Sequence, residues 1–470
     1  MHQKIRAYLT QDLYPFHLPG HKRNPRFFLP ELQKYDLTEI PGMDVLSEPT
    51  GILHTMQEKL ADFYHVRQSF FLVNGASAGV VAAICATCGE GDALFAARNG
   101  HASMYNAMAL SGAVPRYFYP QQRPDGLAGG VDPAVFDDMP QGAVAFVTSP
   151  TYEGFVSDIA AIARRVHARG GLLIVDEAHG AHFAFHEAFP QSATVCGADI
   201  VVQSLHKTLP VPGQCAVLHV CSDRVDTARL RFWLNAVQTT SPSYMLMAAA
   251  DYALQILWDN PSLFDEYLTR LARFAVPDLA GAHGIFAVDP SKRLYRHPGT
   301  GQDIANAKMP IHAISDGNTL EEILAREYKL QAEMTRGQYV LLMTSVADTD
   351  EGFARLSRAV KELGLQPPAA IPDDTACNLR RAFDASNAAS ALSPPASTPA
   401  LPPIPLPEIA LSPRAAMQKP SQIIPTAQST GRIAAELIAP CPPGIALIAP
   451  GERIHPNLSI PRENIRVLVE

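Results

Sequence analysis

The sequence predicts an α/β protein: a mostly parallel seven-stranded sheet flanked by helices, followed by a smaller C-terminal α/β domain. Two observations carry that expectation. Seven short apolar runs recur between Ser69 and Val220, and amphipathic stretches at helical spacing separate several of them. Strands rich in Val, Ile and Phe that alternate with helices form parallel sheets covered on both faces.

The runs are FFLV (70–73), ALFA (93–96), RYFY (116–119), AVAFV (143–147), LLIVD (172–176), IVVQ (200–203) and CAVLHV (215–220). The segment IAAIARRVHARG (159–170) shows the helical period and a glycine stop. Beyond Val220 the pattern is helical, through RVDTARLRFWLNAVQ and SYMLMAAADYALQILW. The expected organisation is an N-terminal arm over 1–50, a large domain over 51–274 and a small α/β domain over 275–366. In the small domain, TLEEILAREYKL (319–330) reads as a helix and YVLLMT (339–344) as a strand. Residues 367–425 turn proline-rich and read as a linker or strap rather than packed core or an SH3-type ligand. The tail, 426–470, is expected to contain a short helix around GRIAAELIAP and to complete the small domain.

The 470 residues suffice for two or three domains, and the formal net charge is −8 with no Lys/Arg block. That excludes a nucleic-acid or anionic-membrane surface as the leading reading. No apolar run reaches membrane-spanning length, and the start of the chain does not resemble a signal peptide. Seven scattered cysteines argue against a disulfide framework. A cytoplasmic enzyme is the expectation.

Ligands of parallel sheets sit at the carboxyl ends of the strands, so the polar residues there are informative. In LLIVDEAHGAHF, apolar residues run straight into Asp176. A helicase-type DEAH reading needs a phosphate loop of the G-x-x-x-x-G-K-[ST] kind, which the chain lacks. An acid pairing with the pyridine nitrogen of pyridoxal phosphate, or an aspartate capping the next turn, remain. IVVQSLHKTLP then runs into a polar turn with Ser204, His206, Lys207 and Thr208. Lys207 is costly to bury charged and useful neutral, because a neutral amine forms a Schiff base with an aldehyde. Ser204 and His206 offer donors to a phosphate.

In SFFLVNGASAGVVAAICATC (69–88), a strand, a small-residue turn and an apolar helix direct backbone N–H groups at an anion, with Ser77 adding a hydroxyl. Cys85 and Cys88 match C-x-x-C but lie at the wrong helix end for a redox pair, and read as core. His101 could stack on a planar ring or serve as a loop histidine. His182 and His186, at i,i+4 spacing, lack a third metal ligand, so no metal site is expected.

Together these segments resemble the Orn/Lys/Arg decarboxylase family, pyridoxal-phosphate enzymes of the aspartate-aminotransferase fold (fold type I), in its short form. The matching segments are FHLPGHK (16–22), EIPGMDVL (39–46), SFFLVNGASAG (69–79), RNGHAS (98–103), ALSGAVPRYFYP (109–120), SPTYEGFVSDI (149–159), VDEAHGAHFAFH (175–186), QSLHKTLP (203–210) and CPPGIALIAPGERI (441–454). The resemblance implies pyridoxal 5'-phosphate as cofactor, 51–274 as the domain that binds it, and at least a homodimer. It implies that Lys207 carries the cofactor, Asp176 keeps the pyridine nitrogen protonated and His101 stacks on the ring. Ser77, Ser204, His206 and the Ala76 backbone amide would bind the phosphate, and His179 would lie near the ring oxygen. His206 or Lys207 would return a proton to the substrate carbon.

The implied reaction is decarboxylation of lysine, ornithine or arginine to the amine, through an external aldimine and quinonoid, as in polyamine biosynthesis. Glu436 is the candidate partner for the distal charge of the substrate. Ala76, Ala102, Leu205 and Pro212-Gly213 depart from the family pattern. Transamination or oxidative deamination of a basic amino acid is the alternative chemistry, and an inactive regulatory paralogue the alternative class.

Overall fold

The computed structural model describes residues 1–123, 127–274, 287–297, 316–368, 406–440 and 444–469. All seven expected strands form: β1 (Gln68–Leu72), β2 (Ala93–Ala97), β3 (Val114–Phe118), β4 (Val144–Thr148), β5 (Leu172–Asp176), β6 (Ile200–Gln203) and β7 (Ala216–Val220). They build one sheet in the order β1-β7-β6-β5-β4-β2-β3. Only β7 runs antiparallel to its neighbours, β6 and β1. Leu173, Ile174 and Val175 of the central β5 are wholly enclosed, because helices cover both faces.

Local sequence sets the helix ends. The Asp158 side chain accepts the Ala161 N–H at 2.8 Å and starts the helix Ile159–Ala168, whose Ile159, Ile162, Ala163 and Val166 face the core. The helix Gly75–Thr87 is apolar on all sides, and it is buried between the sheet and the helices Ala102–Ser111 and Thr227–Val237. Asp44, from the arm, accepts the backbone N–H groups of Val45, Thr50, Gly51, Leu53 and His54, and so holds the entry to the helix Ile52–Phe63.

In the small unit, β8 (Lys292–Arg296), β9 (Met334–Arg336) and β10 (Tyr339–Met343) form an antiparallel sheet with β10 in the middle. The helix expected over 319–330 spans Gly317–Tyr328. Asp316 caps its start, and Lys329, at φ 56°, ends it. The arm links the two units: the Met343 N–H donates to the Phe16 carbonyl at 2.9 Å, and the Gly20 N–H to the His206 carbonyl at 2.7 Å.

The C-terminal region departs from expectation in three ways. Inside the stretch read as linker, Pro413–Met417 forms a helix packed on Ala102–Ser111. Residues 431–440 form no helix. They lie extended instead, with Ala434 bridging Val467 and Ile438 bridging Ile448, while β11 (Ser421–Pro425) pairs with β12 (Asn464–Leu468). Partners far along the chain here outweigh local helix propensity. Among the described residues the tail adds no strand to the small sheet. It packs on the large domain beside His101, where Arg98 forms an ion pair with Glu452 at 3.0 Å and donates to the Ala446 carbonyl at 2.9 Å. Arg98 also lies over the faces of Tyr105 and Tyr117.

Candidate active site

Strand register brings the candidate residues to one edge of the sheet. Asp176, the last residue of β5, is opposite Val202 of β6, so the turn that opens at Ser204 begins just beyond it. Leu72 ends β1 opposite Ala216 of the antiparallel β7, which puts the turn 73–77 beside residues 212–215. The Gly75 N–H donates to the Gln214 carbonyl at 2.9 Å. Gly75 adopts φ +71°, a conformation that glycine takes without a steric penalty.

The helix that starts there has no side-chain cap from Asn74, so its first-turn N–H groups remain available for an anion. Ser77 on that turn is exposed, whereas Ala76 is buried. Ser204 is buried at the start of the one-turn helix Leu205–Thr208, and Thr208 Oγ1 is enclosed with no hydrogen-bond partner among the described residues.

Lys207 Nζ lies 3.1 Å from His179 Nε2 and 5.9 Å from the centre of the Tyr152 ring. Tyr152 meets His179 edge-to-face at 4.5 Å and donates its hydroxyl to Glu333. On its other side His179 Nδ1 lies 2.8 Å from Nζ of Lys292, a completely buried lysine. Burial, reinforced by Lys207 and Lys292, holds the His179 pKa well below the usual histidine range, so its imidazole is neutral. Burial lowers Lys292 to about 8, with Asp289 and Glu333 opposing the shift and Lys207 and Lys22 adding to it.

His206 donates Nδ1–H to the Cys215 carbonyl at 3.0 Å. Burial lowers its pKa, so Nε2 acts as an acceptor, and it donates to an anion only when protonated. His101 starts the helix Ala102–Ser111 and accepts the Ser103 N–H on Nδ1. Burial lowers its pKa too, with Asp176 opposing the shift and Lys207 adding to it, so both lie within electrostatic reach of His101. Gly444 backs the ring so closely that a Cβ there would fall 2.8 Å from His101 Cδ2.

Asp176 is 4% exposed, forms no salt bridge among the described residues and uses only Oδ1, which accepts the Ala178 N–H at 3.1 Å. It therefore caps the next turn and still leaves Oδ2 for an outside donor. A buried carboxylate without a cation is costly, and a ligand N–H⁺ would offset that cost.

Other candidates fall elsewhere. Both oxygens of Glu436 are taken within the tail, by the Arg466 N–H at 2.6 Å and by Arg462 at 3.3 Å. The glutamate stands on an extended segment rather than on the expected helix. His182 pairs with Asp289 and His186 with Asp265. Cys85 and Cys88 are buried, and burial pushes their thiols up to about 11 and about 12. The sequence reading missed Tyr152, Lys292 and Glu333. Tyr152 follows the end of β4 and was open to the strand-end rule; the other two carry no local signal.

The sequence signature of the Orn/Lys/Arg decarboxylase major domain matches residues 1–274, and that of the family's C-terminal domain matches 402–468. The chain belongs to the Orn/Lys/Arg decarboxylase family. It is 31% identical to an arginine decarboxylase of Halalkalibacterium halodurans over 98% of this chain and 92% of that one. A Bacillus subtilis arginine decarboxylase is 29% identical with the same coverage. Among solved structures, the lysine decarboxylase LdcF of Francisella novicida shares the fold at a TM-score of 0.71 and 19% identity, over 94% of this chain and 76% of that one. The E. coli constitutive lysine decarboxylase is equally similar, over 95% and 76%.

Membership in the Orn/Lys/Arg decarboxylase family makes the chain a pyridoxal 5'-phosphate-dependent decarboxylase of fold type I. The residues present fit that cofactor: an uncapped helix start for the phosphate, an enclosed Thr208 hydroxyl, a carboxylate without a cation, and a lysine at the sheet edge. Among the described residues, no helix is long and apolar enough to cross a membrane.

Proposed function

We propose that this enzyme decarboxylates a basic amino acid, lysine, ornithine or arginine, to the corresponding amine. The observation that carries the reading is the grouping of Lys207, His179, His101 and Asp176 at one sheet edge. When bound, the cofactor supplies an electron sink for the electrons released as CO₂ leaves.

The residues divide the remaining work. Lys207 would hold the cofactor through its side-chain amine. Asp176 Oδ2 would keep the ring nitrogen protonated, and His101, with Gly444 behind it, would pack against the ring. The first-turn N–H groups at Ala76 and Ser77, with the Ser77 and Ser204 hydroxyls, would hold the phosphate, and His206 would join them if protonated. His179 would lie near the ring oxygen, and Lys207 or His206 would supply the proton that replaces CO₂. These roles rest on position and on the family resemblance.

A homodimer acting in the cytoplasm belongs to the same reading. Phe28, Tyr35, Leu37, Ile40, Met43 and Val45 of the arm are each at least 36% exposed, an apolar surface suited to a second copy. The test is to supply purified protein with each of the twenty amino acids and ornithine and to measure CO₂, amine and keto acid together. Stoichiometric CO₂ and amine from a basic amino acid is the expected result. Keto acid or peroxide without CO₂ would replace it with transamination or oxidative deamination. No product from any substrate, despite bound cofactor, would point to an inactive paralogue.

A further inference from the structure

The chain buries a lysine that the reading above does not use. Lys292, at the start of β8, is 0% exposed, and its ammonium group meets His179 Nδ1 at 2.8 Å. The opposite nitrogen of the same imidazole meets Lys207 Nζ at 3.1 Å. One neutral imidazole thus spans two lysines.

Proton counting limits what such a bridge allows. A neutral imidazole carries one N–H and one lone pair, while an ammonium group donates only and a neutral amine can accept. With both hydrogen bonds made, one nitrogen accepts from a charged lysine and the other donates to an uncharged one. The two lysines therefore cannot both be ammonium ions while His179 stays neutral and bonded to each.

We propose that Lys292 is a positioning residue that carries the proton of this bridge, fixes His179 as the Nε2–H tautomer and so leaves Lys207 as a neutral amine. The inference rests on Lys207 being the lysine that captures the cofactor aldehyde, because only a neutral amine does so. The surroundings favour this direction. Burial, with Lys207 and Lys22, lowers Lys292 to about 8, while Asp289 and Glu333 oppose the shift and leave it an ammonium ion at neutral pH. Around His179 stand Lys207, Lys292, His206 and His182, with the edge-to-face Tyr152 ring. Burial and the two lysines keep the imidazole from taking a second proton. The proton stays on Lys292, and no co-reactant is involved.

The test uses the cofactor-free full chain and trace labelling of amines with acetic anhydride between pH 6 and 11. Mass spectrometry would follow the Lys207 peptide against the exposed Lys4 and Lys34 as internal references. In Lys292→Met the half-maximal pH of Lys207 should rise by about one unit, with roughly tenfold less labelling at pH 7. Lys292→Arg should restore most of it. In a His179→Phe background, Lys292→Met should shift the profile far less. An equal shift there would mean direct repulsion between the lysines and would overturn the bridge, as would an unchanged profile in Lys292→Met alone.

If these variants fail to fold, ¹⁵N-histidine spectra of the unmodified chain decide the matter. Protonated Nε2 with bare Nδ1 at His179 is required, and the reverse tautomer would overturn the proposal. Borohydride fixing the cofactor on another lysine would defeat the assignment of Lys207 while leaving both of these readouts interpretable.

Discussion

Arg98 and Glu452, 354 residues apart in the chain, close a 3.0 Å ion pair in which neither side chain is more than 6% exposed. The pair fastens the C-terminal segment to the large domain beside His101, whose following residue, Ala102, donates its N–H to the Gly444 carbonyl at 2.9 Å. The tail is thereby part of the wall behind the active site.

Removing one partner of a buried ion pair leaves the other charge enclosed and uncompensated, at a cost of about 3–5 kcal/mol. Glu452→Ala should therefore lower the denaturation midpoint strongly and expose the tail beyond residue 406 to protease. Arg98→Met with Glu452→Leu should recover much of the loss. Chemical denaturation and limited proteolysis together check this. A stable, protease-resistant Glu452→Ala protein would show that the pair does not fasten the tail.

Asp176 separates a structural duty from a chemical one. Its Oδ1 accepts the Ala178 N–H, a bond that asparagine preserves. If Oδ2 holds the ring proton, Asp176→Asn should lower kcat by ~10²-fold or more, roughly 3 kcal/mol of transition-state stabilisation, with little change in melting temperature. Steady-state kinetics and a thermal melt of the same preparation read the two effects. Full activity in Asp176→Asn would remove the residue from the reaction.

His219 makes the fold acid-sensitive. Its ring is enclosed between Ser69 Oγ at 2.8 Å and Gln203 Oε1 at 3.3 Å, and burial lowers its pKa to about 3. Between that value and the unfolded value near 6.5, the unfolded chain binds a proton that the folded chain refuses. Stability from this group is therefore complete above pH 6.5 and falls as the pH drops, by about 2 kcal/mol at pH 5. Urea melts at pH 7 and pH 5 should show a smaller difference for His219→Gln than for the parent, by about that amount. Equal differences would mean that His219 is protonated inside the fold.

The sequence by itself determined the sheet and the edge at which the candidate residues gather. Its strands are continuous apolar runs because both faces are covered, and each run ends where a polar residue would otherwise be buried. That is why Asp176, Ser204 and Lys207 were legible: they stand directly after such runs, where register must bring them together. Two helix spans were legible from periodicity to within two residues: 159–170 against Ile159–Ala168, and 319–330 against Gly317–Tyr328.

Tertiary structure alone decided the rest. Lys292 lies in an ordinary-looking polar stretch, SKRLYR, and only the fold of the small unit carries it to His179, 113 residues away. Glu333 reaches Tyr152 across 181 residues. The tail at 431–440 has a helix-forming composition, but pairing with Ile448 and Val467 draws it into extended bridges and commits Glu436 to Arg462 and Arg466. Local periodicity records which face of an element is buried; it holds no record of which distant side chain will meet it there.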